Sequence, residues 1–341
     1  MERITTRLAV AAAAAGLALL ADGCSGTAAT PTGTNTGTAG AVSRALPSPF
    51  TVTARYTAVS LGLNHPDALA VGPDGNLYVT DLSQRVSVIS PAGTVLRRWG
   101  KPGTGPGQFR FIPGDPTVPT DVFGKIAVGP DGLVYVADSG NARVQVFTPQ
   151  GRFVRQFGSF GSGQGQFLFS GDIAVDNAGN MYVADGKSAT LAKLSPAGKV
   201  VWRIGGDASG DQDLSGCCYN FTGFDAHGRL VIVNDAQKRV LYVDPSGHKV
   251  DAFTPDAAAF AGGNVCEVTV DAAGNTYLSG CASPGPAGPT LVYDRAHRLI
   301  AKWPGATYSL LRSPVSGPHS EEFALATDGT ILKLHITLPG V

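Results

Sequence analysis

The stretch VYVADSGNARVQVF (Val134–Phe147) places a short polar segment between two runs in which apolar residues alternate with other residues. Alternation with a period of two is typical of β-strands that bury one face, so the stretch predicts two strands joined by a tight loop. Asp138 and Arg143 stand at the two ends of that loop. They are either a reactive pair, which would occur once, or a structural device, which would recur with the strands.

Related segments follow one another along the chain. Residues 67–100, 172–205, 223–253 and 266–303 each repeat the two strands with their flanking turns, and residues 322–338 repeat part of the pattern. A turn glycine marks each unit at intervals of roughly 50 residues, which is a spacing typical of propeller blades. These glycines are Gly75, Gly132, Gly179, Gly228, Gly274 and Gly329. Four antiparallel strands per unit predict an all-β fold, a six-bladed β-propeller.

The last unit stops after about two strands, which would leave strand edges unpaired. The alternating stretch FTVTARYTAV (Phe50–Val59) is available to complete it. We therefore predict a propeller domain over 50–341 that is closed by pairing of the N-terminal strand, within 50–60, with the C-terminal blade. The blades are expected near 66–100, 124–158, 171–205, 222–254, 264–304 and 321–341.

The pattern of residues 132–147, with Tyr-Val-x-Asp-x-x-Asn-x-Arg-Val-Gln-Val-Phe at its centre, resembles the NHL repeat of six-bladed propellers. The other units match that repeat more loosely, and the resemblance extends over roughly residues 50–341. It implies the propeller fold. It leaves the function open, because one scaffold hosts many activities.

The Asp and Arg of the opening stretch recur with the repeat, as a structural device would. We expect each Asp to accept backbone N–H bonds in the loop after the second strand. We expect each Arg to brace the same loop by pairing with that Asp or a neighbour. The set comprises Asp81, Asp138, Asp185 and Asp235, with Arg85, Arg143 and Arg239.

The N-terminal residues 1–23 have the pattern of an export signal, with two arginines before an apolar run too short to span a bilayer. Gly23-Cys24 resembles the bacterial lipobox, in which the cysteine receives a lipid, although Asp22 departs from that motif. Ordinary signal cleavage is the alternative. Residues 24–49 are rich in Thr, Gly, Ala and Pro and predict a disordered tether. We expect a protein exported from a bacterial cell and either lipid-anchored to the outer face of the membrane or secreted.

The overall charge argues against a nucleic-acid partner. Lys and Arg number 26, Asp and Glu number 26, and the formal net charge is zero, so no basic surface is expected to attract phosphates. We expect a monomer that contacts membrane only through an N-terminal lipid. Its expected partner is a protein, a peptide or a cell-wall glycan.

Four cysteines follow the tether, and export favours disulfides over free thiols. The hairpin 265–281 sets Cys266 opposite Cys281, which favours one bridge between them and a vicinal bridge between Cys217 and Cys218. The alternative is two bridges that tie the loop 206–221 to the fifth unit, since four cysteines permit three pairings. A zinc site built from all four is disfavoured by the lack of a CxxC pair.

The long connections 101–124 and 206–221 predict the ligand-binding face, because long loops on a rigid scaffold commonly carry binding residues. The same face is expected to collect a set of polar side chains at the starts of the inner strands and in the neighbouring loops. The candidates are His65, Asp67, Asp121, Asp172, Asn264, His319, Glu321 and Glu322.

The sequence contains weaker evidence for catalysis or metal binding than for the binding of a partner. Amidating lyases of this repeat type bind zinc through histidines, and HPDALAV has Asp67 at a comparable position. DQDLSG (Asp211–Gly216) resembles the start of a calcium loop, but Thr222 stands where a bidentate Glu is needed. We assign no catalytic residue, no metal site and no cofactor, with calcium as an open alternative.

The sequence therefore favours a non-catalytic binding or scaffold propeller outside the cytoplasm that recognises its partner through the long-loop face. The alternative is a metal-dependent hydrolase or lyase, similar to the lactonase or amidating-lyase propellers, that uses acidic residues of the central channel.

Overall fold

The structure is a computed structural model that describes residues 48–111, 124–206, 219–234, 237–256, 265–280, 288–304, 307–311, 319–326 and 328–338. Within these ranges the side chains of residues 219–222, 266, 307–311 and 319–321 are left undescribed. The described residues form six four-stranded antiparallel sheets, arranged as a six-bladed propeller. The predicted fold class is confirmed.

The strands are numbered along the chain. Strand β1 (Phe50–Tyr56) is followed by the one-turn helix α1 (Ala58–Leu61). The first blade contains β2 (Pro66–Val71), β3 (Leu77–Asp81), β4 (Arg85–Ile89) and β5 (Val95–Trp99). The second contains β6 (Ile126–Val128), β7 (Val134–Asp138), β8 (Arg143–Phe147) and β9 (Phe153–Phe157), with the 3-10 turn Ser139–Asn141 between β7 and β8. The third contains β10 (Ser170–Val175), β11 (Met181–Asp185), β12 (Thr190–Leu194) and β13 (Val200–Gly205).

The remaining blades follow the same order. The fourth contains β14 (Tyr219–Phe224), β15 (Leu230–Asn234), β16 (Arg239–Val243) and β17 (Lys249–Phe253). The fifth contains β18 (Val265–Val270), β19 (Thr276–Gly280), β20 (Thr290–Tyr293) and β21 (Leu299–Trp303). The sixth contains β22 (Thr307–Leu311), β23 (His319–Ala326), β24 (Ile331–Thr337) and the N-terminal β1. Among the described residues, no helix has the length and apolar character needed to span a membrane.

The N-terminal strand closes the ring, as predicted. Strand β1 pairs antiparallel with β24, from Phe50 opposite Ile336 to Tyr56 opposite Ile331. The composition of this blade differs from expectation, because three of its strands come from the C-terminal part of the chain rather than two. The innermost is β22, whose sequence TYSLL carries none of the repeat's turn residues.

The hydrophobic core lies between the blades. Each apolar cluster combines residues of two neighbouring blades, and one of them joins the first blade to the sixth. The second strands supply the most deeply buried residues, because their alternating apolar side chains face a neighbouring blade on either side. Phe50 of β1 stacks on Trp303 of the fifth blade, with ring centroids 5.0 Å apart, so the closing strand contributes to the core as well as to the ladder.

Neighbouring blades also fit together where an aromatic residue of one outer strand packs against the outer turn of the next blade. At Gly198, with φ +81°, an added Cβ would fall 2.1 Å from Cδ1 of Phe157, so only glycine fits. In the fifth blade His297 occupies the corresponding turn position with φ 58°. Its ring stacks on Phe253 with centroids 4.4 Å apart, and this stacking replaces the aromatic–glycine contact.

Candidate functional site

The six innermost strands surround a central channel. Contacts run in sequence from β2 to β6, β10, β14, β18 and β22 and back to β2. The described part of the channel contains a cavity of ≈ 700 Å³, which lies within the range of small-ligand pockets. Small residues keep this part of the channel open, because Ala70, Ala127, Ala174 and Gly223 line the wall.

Three charged residues occupy the same register on, or directly before, different inner strands. Lys125, Asp172 and Glu267 directly precede Ile126, Ile173 and Val268, each of which pairs with the third residue of its neighbouring second strand. The repeat therefore brings three different charged side chains to one level of the channel. That level lies at the start of the inner strands, where the connection 100–124 joins β6.

Lys125 and Glu267 form an ion pair across the channel. The Lys125 ammonium donates a hydrogen bond to Oε1 of Glu267. Because β6 and β18 belong to the second and fifth blades, which lie opposite each other in a ring of six, this ion pair spans the channel. Both side chains are largely buried, with 14% and 5% of their surfaces exposed.

Among the described residues, three carboxylates act electrostatically on the Lys125 ammonium. Burial works against the charge of Lys125, but attraction by Glu267, Asp172 and Asp67 outweighs it and holds the pKa of the ammonium above its usual range. Burial raises the pKa of the Glu267 carboxyl to about 7, and repulsion by Asp172 and Asp67 adds to this while Lys125 opposes it. Lys125 therefore stays charged while Glu267 titrates near neutral pH.

Glu267 has one oxygen without a hydrogen-bond partner among the described residues. Its Oε2 is buried and accepts no hydrogen bond, although buried polar atoms in native proteins are nearly always paired. An unpaired buried acceptor costs free energy, so Oε2 marks a position at which a ligand donor would be favourable.

At the opposite end of the cavity the charged side chains pair with other groups of the protein, whereas Oε2 of Glu267 has no partner among the described residues. Nζ of Lys193 donates to the Pro245 carbonyl at 3.0 Å and lies 3.8 Å from Oδ2 of Asp176. Asp225 forms an ion pair with Arg229 at 2.6 Å. The level of Lys125 and Glu267 is therefore the better candidate for binding.

The predicted candidates lie in several places. Asp172 is buried in the channel wall, where Oδ1 accepts the N–H of Ile173 at 2.8 Å. Asp67 lies at a β-bulge in β2 and acts electrostatically on both members of the ion pair. His65 lies in the loop before β2, and its Nδ1 is 3.1 Å from Oδ1 of Asn64.

The acidic residues near the C-terminus are placed differently from expectation. Glu322 is buried on β23, the second strand of its blade, rather than at the start of an inner strand. The physical reason is that β22 takes the innermost position. His319 and Glu321 also belong to β23, but their side chains are not described. Asp121 and Asn264 lie outside the described residues.

Sequence reasoning missed both members of the ion pair as site residues. Their position within the repeat could have identified them. Lys125 and Glu267 occupy, in the second and fifth units, the position that Asp172 occupies in the third. A search for recurring residues passes over this position, since the residue type changes from unit to unit.

The recurring Asp and Arg residues make structural contacts. Oδ2 of Asp138 accepts Nε of Arg143 at 2.8 Å, and Oδ1 accepts the N–H of Arg110 at 2.7 Å. Asp81 receives Nε of Arg85 at 2.9 Å, and Asp185 accepts two N–H groups of the loop before β10, those of Leu168 and Phe169.

The fourth unit departs from the expected motif. Asn234, rather than Asp235, pairs across the strands with Arg239, as Asp138 pairs with Arg143. Its Oδ1 accepts the N–H of Gln237 at 3.2 Å. Asp235 itself lies outside the described residues. In the fifth unit Gly280 takes this register, so the Asp is absent there.

The described residues give no support to a metal centre. They contain no group of three or more His, Cys, Asp or Glu side chains arranged to hold a metal ion. The described channel wall contains no histidine, so it does not fit the histidine-bound zinc of amidating lyases. The DQDLSG segment and the residues Cys24, Cys217, Cys218 and Cys281 lie outside the described residues, as does the side chain of Cys266.

Comparison with known proteins agrees with the fold. The NHL repeat family matches residues 124–147. A segment of the chain is 35% identical over 114 residues to peptidyl-glycine alpha-amidating monooxygenase of Mus musculus. That match covers 30% of this chain and 10% of the relative.

Solved structures are similar in fold at low sequence identity. An inactive variant of virginiamycin B lyase from Staphylococcus aureus with quinupristin has a TM-score of 0.55 and 11% identity over 84% of this chain and 99% of that chain. Kuenenia stuttgartiensis hydrazine synthase has a TM-score of 0.53 and 15% identity over 77% of this chain and 74% of that chain. Likeness at such identities speaks for the fold alone. The chain is therefore a six-bladed β-propeller that carries an NHL repeat in its second blade.

Proposed function

We propose that this chain is a non-catalytic binding propeller outside the cytoplasm that takes part of a protein, peptide or glycan ligand into the mouth of its central channel. The observation that carries the proposal is the ≈ 700 Å³ cavity, which has the buried Lys125–Glu267 ion pair at the end where the long connections join the inner strands. Oε2 of Glu267 has no hydrogen-bond partner among the described residues. The proposal includes export through residues 1–23, with either a lipid on Cys24 or simple signal cleavage.

The channel wall supports binding rather than a purely structural role. A structural propeller gains stability by filling its centre with apolar side chains, because packed cores avoid cavities. Here small residues leave the space open, and Lys125 and Glu267 meet within it. Open space next to a charged group with a free acceptor is typical of a ligand site.

A variant that fills the channel tests this proposal. An added Cβ at Gly223 would meet no atom within 4 Å, so Gly223→Leu places a side chain in the cavity without displacing backbone. A thermal-shift screen of the mature protein against peptides and cell-wall glycan fragments identifies a ligand. We expect Gly223→Leu to weaken its binding by about tenfold or more. Ala197→Leu adds similar volume on an exposed outer turn and serves as the control. Equal binding by both variants would place the ligand elsewhere.

One observation favours acid–base catalysis as a second candidate function. Glu267 has a pKa of about 7 and lines a cavity, and carboxyl groups perturbed in this way occur at catalytic sites. Incubation with quinupristin, followed by liquid chromatography with tandem mass spectrometry, separates the two candidates. We expect quinupristin to be recovered unchanged. A product that the wild-type protein forms and the variant Glu267→Gln does not form would favour the enzyme.

A further inference from the structure

A second cavity lies between the fourth and fifth blades, among the turns on the face opposite the long connections. Its volume is ≈ 190 Å³, below the roughly 300 Å³ at which pockets for whole small-molecule ligands begin. Asp225 and Ala226 are the residues that its wall shares with the channel cavity. The second cavity can therefore hold a small ion, or one chemical group of a larger ligand, outside the channel.

The space exists because an outer strand of the fourth blade departs from the repeat. Asp251 on β17 pairs with Tyr242. In the first three blades the same register of the outer strand holds a large side chain, and these residues are Arg97, Arg155 and Trp202. Trp202 reaches the next blade, where its Nε1 donates to the Pro245 carbonyl at 3.0 Å. Asp251 is shorter, so the equivalent space stays open.

The turn that faces Asp251 departs from the repeat as well. The outer turns of the first four blades have proline followed two residues later by glycine, as in Pro245 and Gly247. Arg295 and His297 take these two positions in the fifth blade, and the turn keeps the same backbone hydrogen bonds. Both residues line the cavity. An arginine therefore enters the fold where the large side chain of the facing strand is missing.

Two guanidinium groups of this cavity have donors that the protein leaves unused. Arg295 donates through Nε to the Ala273 carbonyl, and neither of its Nη atoms has an acceptor among the described residues. Arg229 uses Nε and Nη2 for Oδ2 of Asp225, at 2.7 and 2.6 Å, and its Nη1 has no acceptor in the same part of the chain. Cζ of Arg229 lies 4.7 Å from the ring centroid of Tyr242, which holds the guanidinium in place.

The two carboxylates of the cavity are already engaged. Oδ1 of Asp225 accepts the N–H groups of His227 and Arg229, each at 2.9 Å. Oδ1 of Asp251 accepts the N–H of Ala252 at 2.8 Å, and its Oδ2 lies 3.5 Å from Nε2 of His297. The cavity therefore offers donors to a ligand rather than acceptors. Guanidinium donors pair most strongly with the oxygens of carboxylate and phosphate groups.

We propose that this cavity binds an oxyanion, the phosphate, sulfate or carboxylate group of an acidic ligand, with Arg295 as the main donor and Arg229 as the second. The site is separate from the channel, so the inference does not depend on the function proposed above.

The test uses inorganic phosphate, sulfate and acetate as probes at constant ionic strength. Two-dimensional NMR of the mature protein follows the backbone amides of residues 294–298 during each titration. We expect at least one of the three ions to give saturable shifts and tetramethylammonium chloride to give none. Tighter binding of phosphate or sulfate than of acetate would support a tetrahedral oxyanion as the ligand group, and the reverse order would support a carboxylate.

Three variants locate the site. Arg295→Gln removes the main donor charge and should weaken oxyanion binding by about fivefold or more. Arg298→Gln changes an arginine of the same turn that pairs with Asp294 and does not line the cavity, so it should leave binding unchanged. Asp251→Asn keeps the shape of the side chain and removes a negative charge, so it should strengthen binding by about twofold or more.

The opposite signs expected for Arg295→Gln and Asp251→Asn separate binding from structural damage, which would weaken binding in both. Absence of a saturable shift with all three ions in the wild-type protein would overturn the inference. Equal oxyanion affinity of the wild-type protein and Arg295→Gln would also overturn it. Binding that survives Arg295→Gln but is lost in Gly223→Leu would place the anion in the channel instead.

Discussion

Glu267 makes the stability of the propeller depend on pH. Its carboxyl has a pKa of about 7 in the folded protein, against an ordinary value of 4.5. The folded state therefore binds a proton over an interval in which the unfolded state does not. The stabilisation linked to this proton is fully present below pH 4.5 and is lost as the pH rises through about 7.

We expect the free energy of unfolding to decrease from pH 4.5 to pH 7 because of this group. Glu267→Gln cannot take up the proton, so its unfolding free energy should change less over the same interval. Urea denaturation at a series of pH values measures both. An identical pH profile in the variant would show that Glu267 does not titrate in this range.

Asp138 holds together the loop that follows β7. The carboxylate is fully buried and accepts hydrogen bonds from Arg143, Asn141, Gln145 and the Arg110 backbone. Removing it would leave the guanidinium of Arg143 buried without its carboxylate.

We expect Asp138→Ala to lower the free energy of unfolding by about 3 to 5 kcal/mol, the usual cost of breaking a buried ion pair. Asp294→Ala removes a carboxylate that pairs with the exposed Arg298 and should cost about 1 kcal/mol or less. Chemical denaturation of the two variants provides the comparison, and similar losses would contradict the structural role of Asp138.

Residues that recur with the repeat can be recognised as structural from the sequence alone. Asp138 and Arg143 repeat with the strands, so their structural role was a natural interpretation from sequence alone. Lys125 and Glu267 share a register but not a residue type, and 142 positions separate them. The second and fifth blades lie opposite each other only in the folded ring. No local pattern in the sequence therefore indicates the ion pair.

At the scale of elements, β1 links the two ends of the chain through side-chain packing. Phe50 is 7% exposed and contacts Trp303 and Tyr277 of the fifth blade. Its burial therefore contributes to the interface between the fifth and sixth blades, and the loss of this side chain would open a cavity there.

We expect Phe50→Ala to reduce the free energy of unfolding by about 3 to 5 kcal/mol. Phe160 offers a matched control, because its side chain is 73% exposed and Phe160→Ala should change stability by about 0.5 kcal/mol or less. Thermal and urea unfolding measure both changes. An equal effect of the two substitutions would contradict closure through β1.

The element that sequence reasoning missed is β22. Pairing of residues 50–60 with the C-terminal blade was predicted correctly, because unpaired strand edges need a partner and FTVTARY alternates. The innermost strand of that blade lacks the motif, and the turn glycine Gly329 lies between β23 and β24 rather than after the innermost strand. The repeat pattern therefore assigned the inner position to the segment that contains Glu322.

At the scale of the whole molecule, the blades depend on one another. Each apolar cluster is shared by two neighbours, so no blade keeps a complete core when an adjacent blade unfolds. The ring should accordingly unfold as one cooperative unit.

The three tryptophans test this expectation, since Trp99, Trp202 and Trp303 lie in the first, third and fifth blades. Three variants that each keep one tryptophan, with the other two changed to Phe, report on separate blades by fluorescence. We expect the fluorescence midpoint of each variant to coincide with its own far-ultraviolet circular dichroism midpoint. Separate midpoints within one variant would indicate blades that unfold independently.

The position of β1 also has a mechanical consequence. Whatever precedes residue 48 is attached to the outermost strand of the sixth blade, next to the Phe50–Ile336 end of its ladder. A pull outward from the sheet would load the hydrogen bonds of that ladder one after another, whereas a pull along the strand would load them together. The resistance of the ring to force would therefore depend on direction, and the strand that closes the propeller is the first to bear the load.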